Sequence, residues 1–470
     1  MNLRAGLITT VLLGLALLGG CASFSPDGGF GKVESITQER MGVTPQRVKT
    51  EADAARVADE VKRLLAGPLS ADTAVKIALL NNRGLQASYA ELGIAEADLV
   101  QAGRMRNPGF IFTRLDSGGV REYERQFLFD LMGLLTMPTR TEIENRHFEA
   151  TQTRAANEVL KLAQTTRQAF FSALAAGEAT RYLEQVRTAA QASAELAKRM
   201  ADVGNFSRLR QQREQLFYAE VTAELARTRQ TAVREREHLT RLMGLTGAQR
   251  NFTLPEQLPE LPATIIAEQD IVQQAMDSRL DLRMAKQEIE GLAKNLGLTK
   301  ATRFVNVLEV SYLNNSISGE PPIQGYEVEL RLPVFDWGDA HVAKAEALYT
   351  QAMHRVAEIG VNAESEVRDA YDAYRTSYDL ARHYQSEIVP LRQRIAEENL
   401  LRYNGMLIGV FELLTDAMQQ IAGVNAAIQA LKDFWLAESN LQMSLNGSGS
   451  GGMQLAGGGK AMAAEVSGGH

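Results

Sequence analysis

Residues able to do chemistry are sparse in this sequence, and they do not gather. The six histidines, His147, His238, His341, His354, His383 and His470, are dispersed, and no pair has a convincing metal-ligand spacing. No glycine-rich loop stands between a strand and a helix where it would cradle a phosphate. Met453, Met462 and His470 include soft ligands that suit Cu(I), but three scattered residues in a glycine-rich tail make no site. No metal, no cofactor and no enzymatic activity are therefore expected. Basic residues form no stripe and do not interleave with aromatics, so nucleic acid is not an expected partner. Two things remain to be placed: a single cysteine, Cys21, and a few charged side chains close to glycines, Arg210, Glu412 and Asp416.

A lone cysteine rules out a disulfide within the chain, and its surroundings suggest another use. Arg4 is the only charged side chain before it. Ala5 to Leu18 is a mostly apolar run of 14 residues, too short for a stable membrane helix and suited to a signal-peptide core. Leu18-Gly19-Gly20-Cys21 follows and resembles a bacterial lipobox, whose small residues admit the backbone to a peptidase. Residues 1–20 are expected to be a lipoprotein signal peptide, and Cys21 to carry covalent lipid at the start of the mature chain. Ala22 stands where an inner-membrane lipoprotein would have aspartate. The expected location is the outer membrane, lipid-anchored, with the protein extending into the periplasm. After Cys21 no uninterrupted apolar run of 18 residues exists, so any crossing of a membrane falls to strands.

The elements that position these residues are read from periodicity. The chain has 470 residues, 45% of them hydrophobic and 23% charged, with a net charge of −7, which excludes global disorder. It is written twice, with a period near 200 residues. ALLNNRGLQA from Ala78 matches AMDSRLDLRM from Ala275, and each opens a helical pattern, Ser70 to Arg106 and Ile271 to Thr302. Each pattern gives way to two extended runs: NPGFIFTRL and QFLFDLMGLL in the first copy, VNVLEVSYL and YEVELRLPV in the second. In the last of these Tyr326, Val328, Leu330, Leu332 and Val334 alternate with Glu327, Glu329 and Arg331, the period of a strand with one oily face. Two long helices follow, Thr139 to Ala201 and His341 to Asn404, roughly 95 Å each at 1.5 Å per residue. Pro390 is expected to kink the second. Shorter return helices run from Phe206 to Met243 and from Leu407 to Leu445, closed by glycine caps.

The expected organisation is a 21–69 N-terminal periplasmic segment with one helix, Glu51 to Leu65, then a first repeat at 70–250 with its hairpin at 107–136. A proline-rich connector follows at 251–265, then a second repeat at 266–446 with its hairpin at 305–335, and a disordered tail at 447–470. Two hairpins cannot span a bilayer alone, because open strand edges there leave backbone groups unpaired at several kcal/mol each. If these strands span, several chains must pool them.

The lipobox, the duplication, RLPVFDWGDA leading into a long helix, VGNFSRL, RYNGMLIGVFELL and the RLMG ending together resemble the TolC-type outer membrane factors, over roughly residues 69–446. The resemblance implies a mainly α fold with a small β part. In it a duplicated long-helix α-barrel, a coiled-coil tunnel, joins a transmembrane β-barrel built from four strands per chain and closed as a trimer. It implies an exit duct of a tripartite efflux or type I secretion system, meeting a periplasmic adaptor protein and an inner-membrane transporter at its tip, and contacting outer-membrane lipid around its barrel. Such ducts gate at the tip with pore-facing acids. A shift of 202 residues pairs Gly204 with Met406, Ser207 with Gly409 and Arg210 with Glu412. The resemblance places Glu412 at an acidic gate position, with Asp416 one turn on and Arg210 as a partner from a neighbouring column. Thr415 stands where the family has a second acid. Val203, Gly204, Phe206, Gly405, Met406 and Leu407 form an apolar tip expected to touch the adaptor. The competing reading is a lipid-anchored periplasmic coiled-coil structural or adaptor protein that does not span the membrane; two amphipathic hairpins at matching positions argue against it.

Overall fold

The computed structural model describes residues 22–267, 269–305, 307–331 and 333–447, without the side chains of Val410 and Phe411. Cys21, residues 1–20, Leu332 and the tail with Met453, Met462 and His470 lie outside the described residues. The chain forms two compact units, and each draws on both sequence repeats.

The first unit comprises the chain up to Arg47, Gly84–Glu158 and Leu280–Val361. It contains α1 (Phe30–Met41), α4 (Arg83–Ala102, from Gly84 on), the start of α5 (Leu131–Asp202), α8 (Leu280–Thr302) and the start of α9 (Asp339–His383). It also holds a four-stranded antiparallel sheet in the order β1 (Gly109–Ser117), β2 (Val120–Asp130), β3 (Leu308–Ile317) and β4 (Ile323–Leu330). The sequence suggested one helix before residue 70, and α1 is an addition. It buries only Phe30, Val33, Ile36 and Thr37, too short an apolar stripe to stand out. Phe30 meets Tyr89 edge-on at 4.9 Å, which ties this segment to α4.

Both hairpins differ from expectation at their ends. LMGLL, read as strand, is the first turn of α5, because the Asp130 carboxylate accepts the Gly133 N–H at 2.6 Å and caps the helix there. Pro138 therefore sits inside the helix rather than at its start. The polar run NNSISGEPPIQG, between the two extended runs of the second copy, is mostly strand as well: Asn314 and Asn315 pair with Gln324 and Ile323, and only 318–322 turns. Ladder hydrogen bonds to two neighbours outweigh the turn preference of asparagine and serine.

The second unit comprises Val48–Arg83, Val159–Arg279 and the chain from Asn362. It contains α2 (Glu51–Leu64), α3 (Ala71–Asn81), the rest of α5, α6 (Arg208–Leu242), α7 (Ile271–Ser278), the rest of α9, α10 (Val389–Asn404) and α11 (Val410–Asn446). Alanines on α5 share one core with α2, α3 and the start of the connector, through Ala173, Ala175, Val61, Ile77 and Phe252. A second core is aromatic. Tyr371, Tyr374 and Tyr378 recur every three or four residues on α9 and face Phe434, with Tyr374 and Tyr378 at 5.5 and 5.7 Å from its ring. Their hydroxyls hold the connector: Tyr371 donates to the Ile266 carbonyl and Tyr378 to the Pro262 carbonyl, at 3.3 and 3.2 Å. Trp435 Nε1 donates to the Pro259 carbonyl at 3.1 Å.

Two continuous helices expected from sequence are each broken once, at matching places. Asn82 (ψ 119) separates α3 from α4, and Arg279 (ψ 130) separates α7 from α8. Each break receives the end of a return helix. Asn81 and Asn82 donate to the carbonyls of Met243, Gly244 and Leu242, while Ser278 donates to the carbonyl of Leu445. These carbonyls are orphans of their own helices, and the broken helix satisfies them. Pro390 does not stop its helix. The preceding turn, Tyr384–Ile388, widens to π geometry, with the Val389 N–H bonded to Tyr384, and α10 continues from there. One wide turn relieves the clash that a proline ring makes with the carbonyl four residues back.

Candidate functional site

Two features present themselves: the sheet of the first unit and the paired helix turns of the second. In the sheet, register sorts the side chains by face. Phe110, Phe127, Tyr312 and Tyr326 form one cross-strand row; Phe129, Val310 and Val328 form the next, and Leu308 and Leu330 the one beyond. Phe110 and Phe127 are 4.8 Å apart and Tyr312 and Tyr326 5.6 Å. Those on β1, β2 and β4 are exposed, Tyr326 to 80% and Val328 to 63%, while Leu308, Val310 and Tyr312 on β3 are half-buried. The opposite face carries Glu122, Glu124, Asp130, Glu309, Glu327 and Glu329 among Ile111, Gln126 and Ser311. Asp130, Glu309 and Glu329 stand side by side on three strands, a repulsive arrangement in a dry environment. Arg106 approaches Asp130 at 3.4 Å and Arg331 approaches Glu329 at 3.2 Å. Gln126 Nε2 bridges to Ser311 Oγ and Glu327 at 2.9 and 2.8 Å. One face thus carries the aromatic rows and the other most of the sheet's acids, interspersed with Leu115, Leu128, Leu313 and Ile317, while β1 and β4 each keep one edge without a strand.

No helix among the described residues is long and apolar enough to cross a membrane. No group of three or more His, Cys, Asp or Glu among them could hold a metal ion. The chain matches no family model and no curated protein. Solved structures do match. A membrane protein from Pseudomonas aeruginosa has 19% sequence identity and a TM-score of 0.70, over 82% of this chain and 92% of that one. The outer membrane protein VceC of Vibrio cholerae has 16% identity and a TM-score of 0.67, over 81% and 96%. The open state of the Neisseria gonorrhoeae MtrE outer membrane channel has 17% identity and a TM-score of 0.65, over 80% and 89%. The chain has the fold of outer-membrane channels.

In the second unit the two turns are built alike. Gly204 follows α5 at φ +79, and Met406 follows α10 at φ +60. The 202-residue shift pairs these two residues, so the second copy puts a methionine where the first uses glycine. An L-residue there costs about 1–2 kcal/mol. Ser207 caps α6 by accepting the Arg210 N–H at 3.3 Å, and Gly409 starts α11 in extended geometry. Val203, Met406 and Leu407 are exposed, Met406 to 92%, and Phe206 is half-buried under the Arg210 guanidinium at 5.9 Å. Gly405 closes α10 by donating its N–H to the Leu401 carbonyl at 2.9 Å.

The gate candidates occupy specific local roles. Glu412 is exposed and accepts the Gly409 N–H at 3.1 Å, a back-bond that fixes the start of α11. Asp416 accepts a hydrogen bond from Asn399 Nδ2 on α10. Leu414, Ala417 and Ile421 turn the other way, onto a cluster of Ala190, Phe217 and Val221. Glu412 and Asp416 therefore lie off the packed stripe of α11. Within one chain Arg210 contacts Phe206 and not Glu412. Sequence reading did not find the Asn81–Asn82 and Ser278 receptors or the tyrosine ladder. The i, i+3, i+7 spacing of Tyr371, Tyr374 and Tyr378 was the available signal for the latter.

Proposed function

We propose that three copies of this chain form a TolC-type outer-membrane duct of a tripartite efflux or type I secretion system. Substrate would pass through it from a periplasmic adaptor and inner-membrane transporter to the exterior. The observation that carries this reading is the sheet: four antiparallel strands, one face with aromatic rows next to the helices, the other with most of the acids, and two edges open. In a bilayer such edges require partners. β1 of one copy against β4 of the next closes a twelve-stranded wall, puts the aromatic face against lipid and turns the acids to a water-filled lumen. The trimer is the smallest closed assembly that gives such a wall a useful bore.

In this reading Cys21 carries the lipid, Glu412 contributes to an acidic ring at the tunnel tip, with Asp416 and Arg210 beside it, and Val203, Gly204, Phe206, Gly405, Met406 and Leu407 meet the adaptor. The exposed apolar side chains at both turns support the last assignment. Native mass spectrometry of protein extracted from outer membranes in mild detergent tests the whole. A trimer with each chain beginning at a lipidated Cys21 is the expected result. A lipidated monomer would instead favour the tethered periplasmic coiled coil.

A further inference from the structure

The charges of the sheet are divided between its faces in a way that closure of a barrel does not require. Its acids, apart from Asp116, lie on the face of Glu122 and Glu327, and that face carries no strand arginine. Arg114, Arg121 and Arg125 all lie on the aromatic face, where Arg125 pairs with Phe112, Arg114 with Tyr123 and Arg121 with Asp116. All three stand on the turn side of the aromatic rows. From the Leu308 row to the Phe112 row is six residues, roughly 20 Å along the strands. A barrel's apolar band is about 25 Å tall. With the strands tilted by about 40° that run is about 15 Å of height, so Arg121, four residues further on, stands near the end of the band away from the start of α5, and the long side chains of Arg114 and Arg125 reach that level by snorkelling.

We propose that these arginines bind the phosphate groups of glycolipids in the outer leaflet. The inference rests on the spanning reading above and adds a ligand to it. Arg114 and Arg121 have side chains 54% and 60% exposed, and Asp116, at 3.4 and 3.6 Å, offsets only one of the positive charges. Arg125 spends one N–H on Asn314 at 3.2 Å and keeps the rest of its fork. The Arg114 guanidinium lies 6.0 Å from the Tyr123 ring centroid, which holds it outward at the interface. A lipid-facing guanidinium at that level meets headgroups and little else, and its planar fork matches a phosphate bidentately. Acidic lipids placed there would be repelled by the opposite face, and the sheet itself separates the two.

The full-length protein and an Arg114→Gln, Arg121→Gln, Arg125→Gln triple variant would be inserted into phosphatidylethanolamine vesicles with and without lipopolysaccharide, then extracted in mild detergent. Lipopolysaccharide retained per chain is the readout, and protease protection of the hairpins is measured in the same vesicles. Each arginine near the headgroups should contribute roughly fivefold, so the triple variant should retain at least about tenfold less. Glu122→Gln with Glu124→Gln, on the other face, should leave retention unchanged. Should the triple variant not insert, single Arg114→Gln and Arg125→Gln variants carry the comparison, each expected to lose roughly fivefold. Protected hairpins with equal retention by wild type and variant overturn the lipid inference and leave the duct intact. Unprotected hairpins in the wild type overturn both.

Discussion

Glu412 carries two roles that substitution can separate. As the back-bonding residue of α11 it stabilises a helix start by about 1 kcal/mol. As a member of a charged ring it would narrow the pore and favour cations. Glu412→Gln keeps an acceptor for the Gly409 N–H and removes the charge; Glu412→Ala removes both. Single-channel recording should show higher conductance or weaker cation preference in both variants, with thermal stability lowered mainly in the alanine variant. Unchanged conductance and selectivity in both would take Glu412 out of the gate. Met406→Gly relieves a left-handed methionine and should raise the melting temperature, while weakening adaptor binding if Met406 is part of that contact. Glu438 titrates in the second unit. Burial holds its carboxyl above the ordinary value of 4.5, against the pull of Arg167 and a hydrogen bond from Gln442. The folded state thus keeps the proton to a higher pH than the unfolded chain does. The stability this contributes is full below the ordinary value and is lost as pH rises through the folded one. Glu438→Gln should raise the melting temperature at neutral pH and have little effect near pH 4, a difference that melts across pH would reveal.

Among the elements, α9 does more than pack. Its tyrosine ladder binds a connector that, with three prolines, offers few backbone donors of its own. Tyr378→Phe removes one donor to a half-buried carbonyl and should cost about 1 kcal/mol. Hydrogen exchange is the suitable probe: amides near Pro262 should exchange faster, while those in the α11 interior should not. Equal exchange in both regions would show that packing against Phe434, rather than the hydroxyl, holds the connector. The helix breaks at Asn82 and Arg279 belong to the same scale. Each interrupts a helix that its sequence could have continued, and each supplies donors to a return-helix terminus.

For the whole molecule the test is closure. Cys21 is the sole cysteine and in this reading its sulfur is taken up by lipid, so introduced cysteines report only on their own contacts. Ile111→Cys on β1 combined with Glu327→Cys or Glu329→Cys on β4 places thiols on one face of the two open edges. Oxidation in outer membranes should give a ladder ending at a covalent trimer for at least one pair. Neither pair cross-linking beyond background would argue that the edges stay open, as they would in a tethered periplasmic protein.

What the sequence determined follows from local rules. Two-residue alternation marks the strands, long proline-poor stretches mark α5 and α9, and a 202-residue self-match aligns Gly204 with Met406. What tertiary structure decided depends on partners distant in sequence. LMGLL is helical because Asp130 caps it, and NNSI is strand because β2 and β4 lie on either side. The helices at Asn82 and Arg279 break because carbonyls some 160 residues away need donors. The sorting of arginines and acids to opposite faces was latent in the alternation. It became visible only through the cross-strand register, since side chains on neighbouring strands share a face according to how the ladder aligns them.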